Sequence, residues 1–391
     1  MRRLFAVFLI ITFCTFVGCK NDEEVTTESV DKGFTVRMLF DDEKLQDERY
    51  SLYYPRDVDT DSEGNIFVLD GGNQRVVKFS PEGEYISEFG RMGDGPGEFK
   101  MWRMRAAIHI DQHDNIYIIN EASGRCQIFN SDFKFLDSFK IKAGNGIADL
   151  SVNSGGDIYI SVCNHKNAEG ATIYKYVKSE DGYKLAKKFS NNPIEKPDNP
   201  NDKFYFKRDA VFRMMSPISF IEHNEKDELF QVFQFHRLVR KFDKNDNLVL
   251  EKMIDLSGAE LLMSTHFKDF HSGPEPDMEH KIIETERGEN LFRLLFSHYF
   301  AINYVTDDIF INLYHIPCVL KIDYDLNLKA AYYPEDLLGI DRDKFEGNMY
   351  HYFQSKIIDN ELHTFDYDPV TGRAIFISHH GNMNIFVADI R

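Results

Sequence analysis

The chain has 391 residues, with 64 Asp and Glu against 46 Lys and Arg for a formal net charge of −18, and it carries 34 Phe and 19 Tyr but one Trp. So acidic a surface excludes nucleic acid and anionic membrane as electrostatic partners. Five widely spaced cysteines with no C-x-x-C exclude a zinc knuckle or a vicinal redox pair, and Cys126, Cys163 and Cys318 read either as core thiols or as the source of one disulfide.

The chain opens on MRRLFAVFLIITFCTFVGC. Two arginines, an apolar run from Leu4 to Ile11 and a small residue before Cys19 form a secretory signal over residues 1–18, and the run falls short of the ~20 residues of a membrane span. Phe16-Val17-Gly18-Cys19 resembles a bacterial lipobox, with Phe16 where Leu is usual. The resemblance implies cleavage before Cys19, acylation of that cysteine and attachment to an outer membrane through the lipid. KNDEE, Lys20 to Glu24, resembles the acidic signal that sends lipoproteins of Bacteroidetes to the cell surface. Residues 19–33 then form an acidic tether, with the protein facing either the periplasm or the exterior.

From residue 34 onward one pattern recurs. An acidic or amide residue precedes a short β-rich run in GNIFVLD (64–70), DNIYIIN (114–120), GDIYISV (156–162), DELFQVF (227–233), DDIFINL (307–313) and NELHTFD (360–366). Each predicts a turn followed by a half-buried strand. A further β run follows each, from RVVKF at Arg75 to RAIFI at Arg373, and another precedes each, from RDVDTD to FQSKII. About four strands per unit and six units predict an all-β, six-bladed β-propeller with four-stranded antiparallel blades, a single domain over 34–391. Residues 190–210, 258–296 and 333–348 are loop insertions, the second with helical spacing. FTVRMLF (34–40) and NIFVADI (384–390) are both available to the last blade, so the two chain ends can clasp the ring.

Gly64 to Phe99, GNIFVLDGGNQRVVKFSPEGEYISEFGRMGDGPGEF, resembles an NHL-type propeller repeat, closely here and fairly over 106–139. With its signal, lipobox and tether, the whole chain resembles the six-bladed propeller lipoproteins of Bacteroidetes, a fold with diverse functions. The glycine run GRMGDGPGEF is neither a Walker loop nor a dinucleotide fingerprint, and reads as the crossing between blades.

Three constellations carry candidate chemistry. Trp102, with Arg103 and Arg105 behind the glycine run, suits a sugar ring or an acidic ligand, or else plugs the space between blades one and two. His165, His236 and His315 follow the second strand of three successive units. The resemblance to NHL-type lyases that cleave amidated peptide precursors implies that three such histidines could hold zinc. Scattered inward acids would suit the calcium of a lactonase-like propeller. No G-x-S-x-G or H-E-x-x-H is present, so binding of a glycan, peptide or envelope protein is the expectation. A metal-dependent hydrolase or lyase acting at the propeller axis is the alternative. Arg75, Arg125 and Arg373 recur at the start of third strands and read as structural bridges.

Overall fold

The computed structural model describes residues 30–34, 36–101, 105–120, 122–142, 146–162, 170–191, 218–233, 238–253, 298–303, 306–313, 318–334, 362–378 and 384–390. Within them lie six antiparallel four-stranded sheets arranged as a six-bladed β-propeller. Blade 1 runs from the inner strand Pro55–Thr60 through Ile66–Asp70 and Arg75–Phe79 to the outer Tyr85–Phe89. Blade 2 comprises Ala106–Ile110, Ile116–Asn120, Arg125–Phe129 and Phe135–Lys140. Blade 3 comprises Ile147–Val152, Ile158–Val162, Ala171–Ser179 and Gly182–Asn191, and blade 4 Ser219–His223, Leu229–Phe233, Leu238–Phe242 and Leu248–Met253. Blade 5 comprises His298–Asn303, Asp308–Leu313, Cys318–Asp323 and Leu328–Pro334. Each inner strand packs on the next, and that of blade 6 returns to blade 1.

Blade 6 departs from the register expected from sequence. Leu362–Asp368 is its inner strand, followed by Arg373–Ser378, Ile385–Asp389 and the N-terminal Val36–Met38 as the outermost. NELHTFD is therefore a first strand, not a second, and FQSKII lies outside the described residues. The true turn is Asp368–Gly372, where Asp368 caps the N–H groups of Val370 and Thr371. The clasp by both chain ends is present as anticipated. The preceding residues Val30–Phe34, of which all but Phe34 belong to the stretch read as tether, add a parallel strand to the outer edge of blade 5.

The core is the set of wedges between blades rather than one central mass. Phe67, Leu69 and Val76 of blade 1 meet Ile108, Ile118 and Phe129 of blade 2, with Phe99 and Met101 of the connector between them. Tyr159 and Ile173 of blade 3 meet Ile221, Leu229 and Phe242 of blade 4. The closing wedge packs Phe40, Val58, Val68 and Phe79 against Ile375, Ile377, Ile385 and Val387. Large rings fill a gap that widens outward because the twisted sheets splay.

Candidate functional site

The turns joining first to second strands share one construction. Asp61 accepts the backbone N–H groups of Glu63 and Asn65 and the Asn65 side-chain amide, and Asp111 repeats this with His113 and Asn115. Asn153 and Asn224 serve the same purpose in blades 3 and 4. The fourth turn position is left-handed, occupied by Gly64, Asp114, Gly156, Asp227 and Asp307, a conformation that glycine, Asn and Asp tolerate best. Where that residue is Asp it reaches the previous turn. Asp114 takes the N–H and hydroxyl of Ser62, and Asp227 those of Ser154. Lys226 donates to Asp307 at 3.1 Å. The turns thus form a stitched rim around one end of the axis.

Beneath the rim, the inner strands present polar side chains at alternate positions. The inner edge of an innermost strand has no neighbouring strand, so its N–H groups need other acceptors. Asp57 accepts Ile108 N–H at 2.9 Å and Asp59 accepts Ile110 N–H at 2.6 Å, both across to blade 2. The arrangement recurs between blades 3 and 4, where Asp149 accepts Ile221 N–H at 2.7 Å and Ser151 Oγ accepts His223 N–H at 3.0 Å. Ser151 Oγ also pairs with His223 Nδ1 at 2.9 Å. Asp366 of blade 6 accepts the Thr60 hydroxyl at 3.3 Å.

These acids converge, which shows in their electrostatics. Burial pushes Asp149 and Asp366 up to about 7. Asp57 and Asp59 are also held well above the ordinary carboxyl range, by burial first and then by Asp149 and Asp366 respectively. Burial lowers His109 to about 4 and His223 to about 3, so both imidazoles are neutral near pH 7.

The rim and the inner-strand ends enclose a cavity of about 390 Å³. Its wall includes Asp59, His109, Glu222, His223 and Asp366 below and Asp61, Asp111, Asp114, Glu225 and Asp227 above, with no Lys or Arg among the lining residues. A cavity of this size and wall chemistry accommodates a small ligand bearing donors or positive charge. No group of three or more His, Cys, Asp or Glu among the described residues has the geometry of a metal site. Asp57, Asp59 and Asp149 are committed to backbone N–H groups of the following blade, and they serve as clasps between blades.

Of the residues singled out from sequence, Cys19, Trp102, Arg103, His165, His236 and His315 lie outside the described residues, as do the three insertions apart from residues 190–191 and 333–334. Arg105 is half-buried just before the inner strand of blade 2. Arg75 forms a bridge, pairing with Asp70 at 3.0 Å and Glu88 at 2.6 Å. Arg373 does likewise, reaching Asp389 at 3.6 Å and the Pro81 carbonyl at 3.3 Å. Cys126 is a buried free thiol. The glycine run does cradle an anion, and the anion is its own. Gly95 N–H donates to Glu98 Oε2 at 2.8 Å, Arg91 pairs with Oε1 at 2.8 Å, and Gly97 N–H goes to Gln127 Oε1 at 3.0 Å. Left-handed φ angles at Gly90 and Gly97 make the crossing.

Comparison with known proteins agrees with this architecture. Residues 52–215 match the family described as DUF5128, a 6-bladed beta-propeller. A structure from Bacteroides fragilis, of a protein described as exported, superposes with a TM-score of 0.54 at 11% identity, covering 93% of this chain and 99% of that one. At that identity the likeness is one of fold. The peptidylglycine alpha-amidating monooxygenase of Rattus norvegicus is 36% identical over 87 residues, 20% of this chain and 9% of that protein. Monooxygenase A of Xenopus laevis is 27% identical over 155 residues, 38% of this chain and 15% of its own length. The chain thus spans a small fraction of these curated relatives.

Proposed function

We propose that this chain is an exported, lipid-anchored binding propeller whose axial pocket takes a small ligand carrying a positive charge, such as a primary amine of a peptide or an amino sugar. The observation that carries the reading is the 390 Å³ cavity walled by Asp59, Glu222 and Asp366 without a lining Lys or Arg. A cation entering it meets acids already held in place by the blade-to-blade clasps, and preorganised acceptors need little rearrangement on binding. Calorimetric titration with putrescine against the uncharged 1,4-butanediol tests it. Putrescine is expected to bind and butanediol not. Because Asp366 is charged only above about pH 7, affinity rises with pH through that value. Asp366→Asn is expected to weaken binding about tenfold, near the worth of one screened charge pair. Equal behaviour of the two probes, or pH-independent binding, refutes the reading. Labelling with a fatty-acid analogue, lost in Cys19→Ala, tests the anchor, and protease shaving of whole cells tests which side it faces.

A metal-dependent hydrolase or lyase is the second reading. The strands Ile158–Val162, Leu229–Phe233 and Asp308–Leu313, which precede His165, His236 and His315, end on the same face of consecutive blades. The sequence similarity to amidating monooxygenases lends it support. Zinc or calcium in the purified protein, lost when the three histidines become alanine, distinguishes it from pure binding.

A further inference from the structure

We propose that the head of blade 2, on the face opposite the axial pocket, binds a ligand carboxylate through Arg125 and Asn120. Blade 1 supplies the template. There Arg75 lies opposite Asp70 in the register of the second and third strands, and Glu88 lies opposite Val77 on the fourth. Each nitrogen of the guanidinium is paired: Nε donates to Asp70 at 3.0 Å, Nη1 to Glu88 at 2.6 Å and Nη2 to the Ser51 carbonyl at 2.8 Å.

Blade 2 keeps the arginine and loses both anions. Asn120 stands opposite Arg125 where blade 1 has Asp70, and Ser138 stands opposite Gln127 where blade 1 has Glu88. Nη2 of Arg125 still reaches a carbonyl, that of Gly95, at 3.0 Å. Its buried Nε has no partner among the described residues, and neither has the buried Nδ2 of Asn120, a residue 2% exposed. The Asn120 oxygen is taken by Ser123 N–H at 3.1 Å, so the amide cannot turn to serve the arginine without losing that bond. Nearby Glu98 is occupied by Arg91 and Gly95 N–H, and Lys140, opposite Arg125 on the fourth strand, adds positive charge. A half-buried guanidinium without an anion is costly, and a carboxylate brings one oxygen acceptor for each of the two unpaired donors. The carboxylate of an acidic sugar and that of a peptide C-terminus share this chemistry.

The test is thermal unfolding followed by circular dichroism in chloride buffer with increasing acetate, and with acetamide as the neutral control. Wild type is expected to show a saturable rise of about 2–4 °C with acetate and none with acetamide. Asn120→Asp restores the blade 1 arrangement, so it is expected to melt higher without acetate and to ignore acetate. Arg125→Gln is expected to ignore acetate as well, and Asn120→Asp keeps the test decisive if that variant does not fold. An acetate response absent from wild type, or of equal size in Asn120→Asp, overturns the proposal. Glucuronate and N-acetylglycine titrated in parallel identify which carboxylate source the site prefers. The site stands independently of the axial pocket, since neither Arg125 nor Asn120 lines that cavity.

Discussion

Asp149→Asn isolates the axial clasp. Asp149 Oδ1 accepts Leu150 N–H at 2.8 Å and Oδ2 accepts Ile221 N–H at 2.7 Å, tying blade 3 to blade 4. Burial raises its carboxyl from 3.8 to about 7 in the folded protein. A folded-state value above the unfolded one means the native protein holds an extra proton between those limits. Its contribution to stability is therefore full below about pH 4 and is lost as pH rises through 7. A little over three pH units at 1.36 kcal/mol each set a ceiling of about 4 kcal/mol, with a slope of up to about 1.4 kcal/mol per pH unit. Asp149 keeps partial solvent access, which lowers both figures. Asparagine keeps one oxygen acceptor and cannot titrate, so the variant's stability curve is expected to be flatter between pH 4 and 7 by up to that slope. Urea unfolding followed by far-ultraviolet circular dichroism, in half-unit pH steps from 5 to 8.5, reads the difference. Identical slopes for the two proteins would refute the clasp's proton linkage.

Two further outcomes follow from the closure and from backbone crowding. Asn384 is fully buried, accepts Phe40 N–H at 3.1 Å and donates to the Phe40 carbonyl at 2.8 Å. Asn384→Ala leaves two backbone groups unpaired, and is expected to cost about 2–4 kcal/mol, with faster amide exchange confined to residues 36–40 and 385–389. At Gly72 an added Cβ would lie 2.2 Å from the Tyr53 carbonyl oxygen. Gly72→Ala is therefore expected to lower stability by about 2 kcal/mol or more in thermal unfolding.

The blade count was legible because the turn chemistry is written in local residue types, as in D-S-E-G-N at Asp61–Asn65 and D-Q-H-D-N at Asp111–Asn115. Blade 6 slipped by one strand because Asn360 mimics a turn residue. The real signal, D-P-V-T-G at Asp368–Gly372, has no polar side chain at its fifth position, where the other turns carry Asn65, Asn115, Asp157, Glu228 and Asp308. The inward acids are not individually marked in the sequence, although the alternation in D-V-D-T-D places Asp57 and Asp59 on one side of a strand. A single strand does not reveal that its inner edge lacks a neighbour, so the need for those carboxylates appears only once the ring is assembled. Arg75 and Arg373 are the bridges that their recurring position predicts. The exception at Arg125 emerges from comparing two blades position by position, because its missing partners, Asn120 and Ser138, lie on different strands.

The hydrogen bonds between Phe40 and Asn384 join residues 344 apart in the chain. Residues 30–34 and 36–38 pair with the outer edges of two adjacent blades, both built from the last third of the sequence. Ribosomes deliver the amino end first, so this strap waits for nearly the whole chain before it has anything to hold. Until then Val58, Val68 and Phe79 face water on the wall that Ile375 and Ile385 will later cover. Ring completion is thus a late event with a large loop-closure cost. Loss of even the final strand would bare the edges of Arg373–Ser378 and Val36–Met38, open to pairing with other chains.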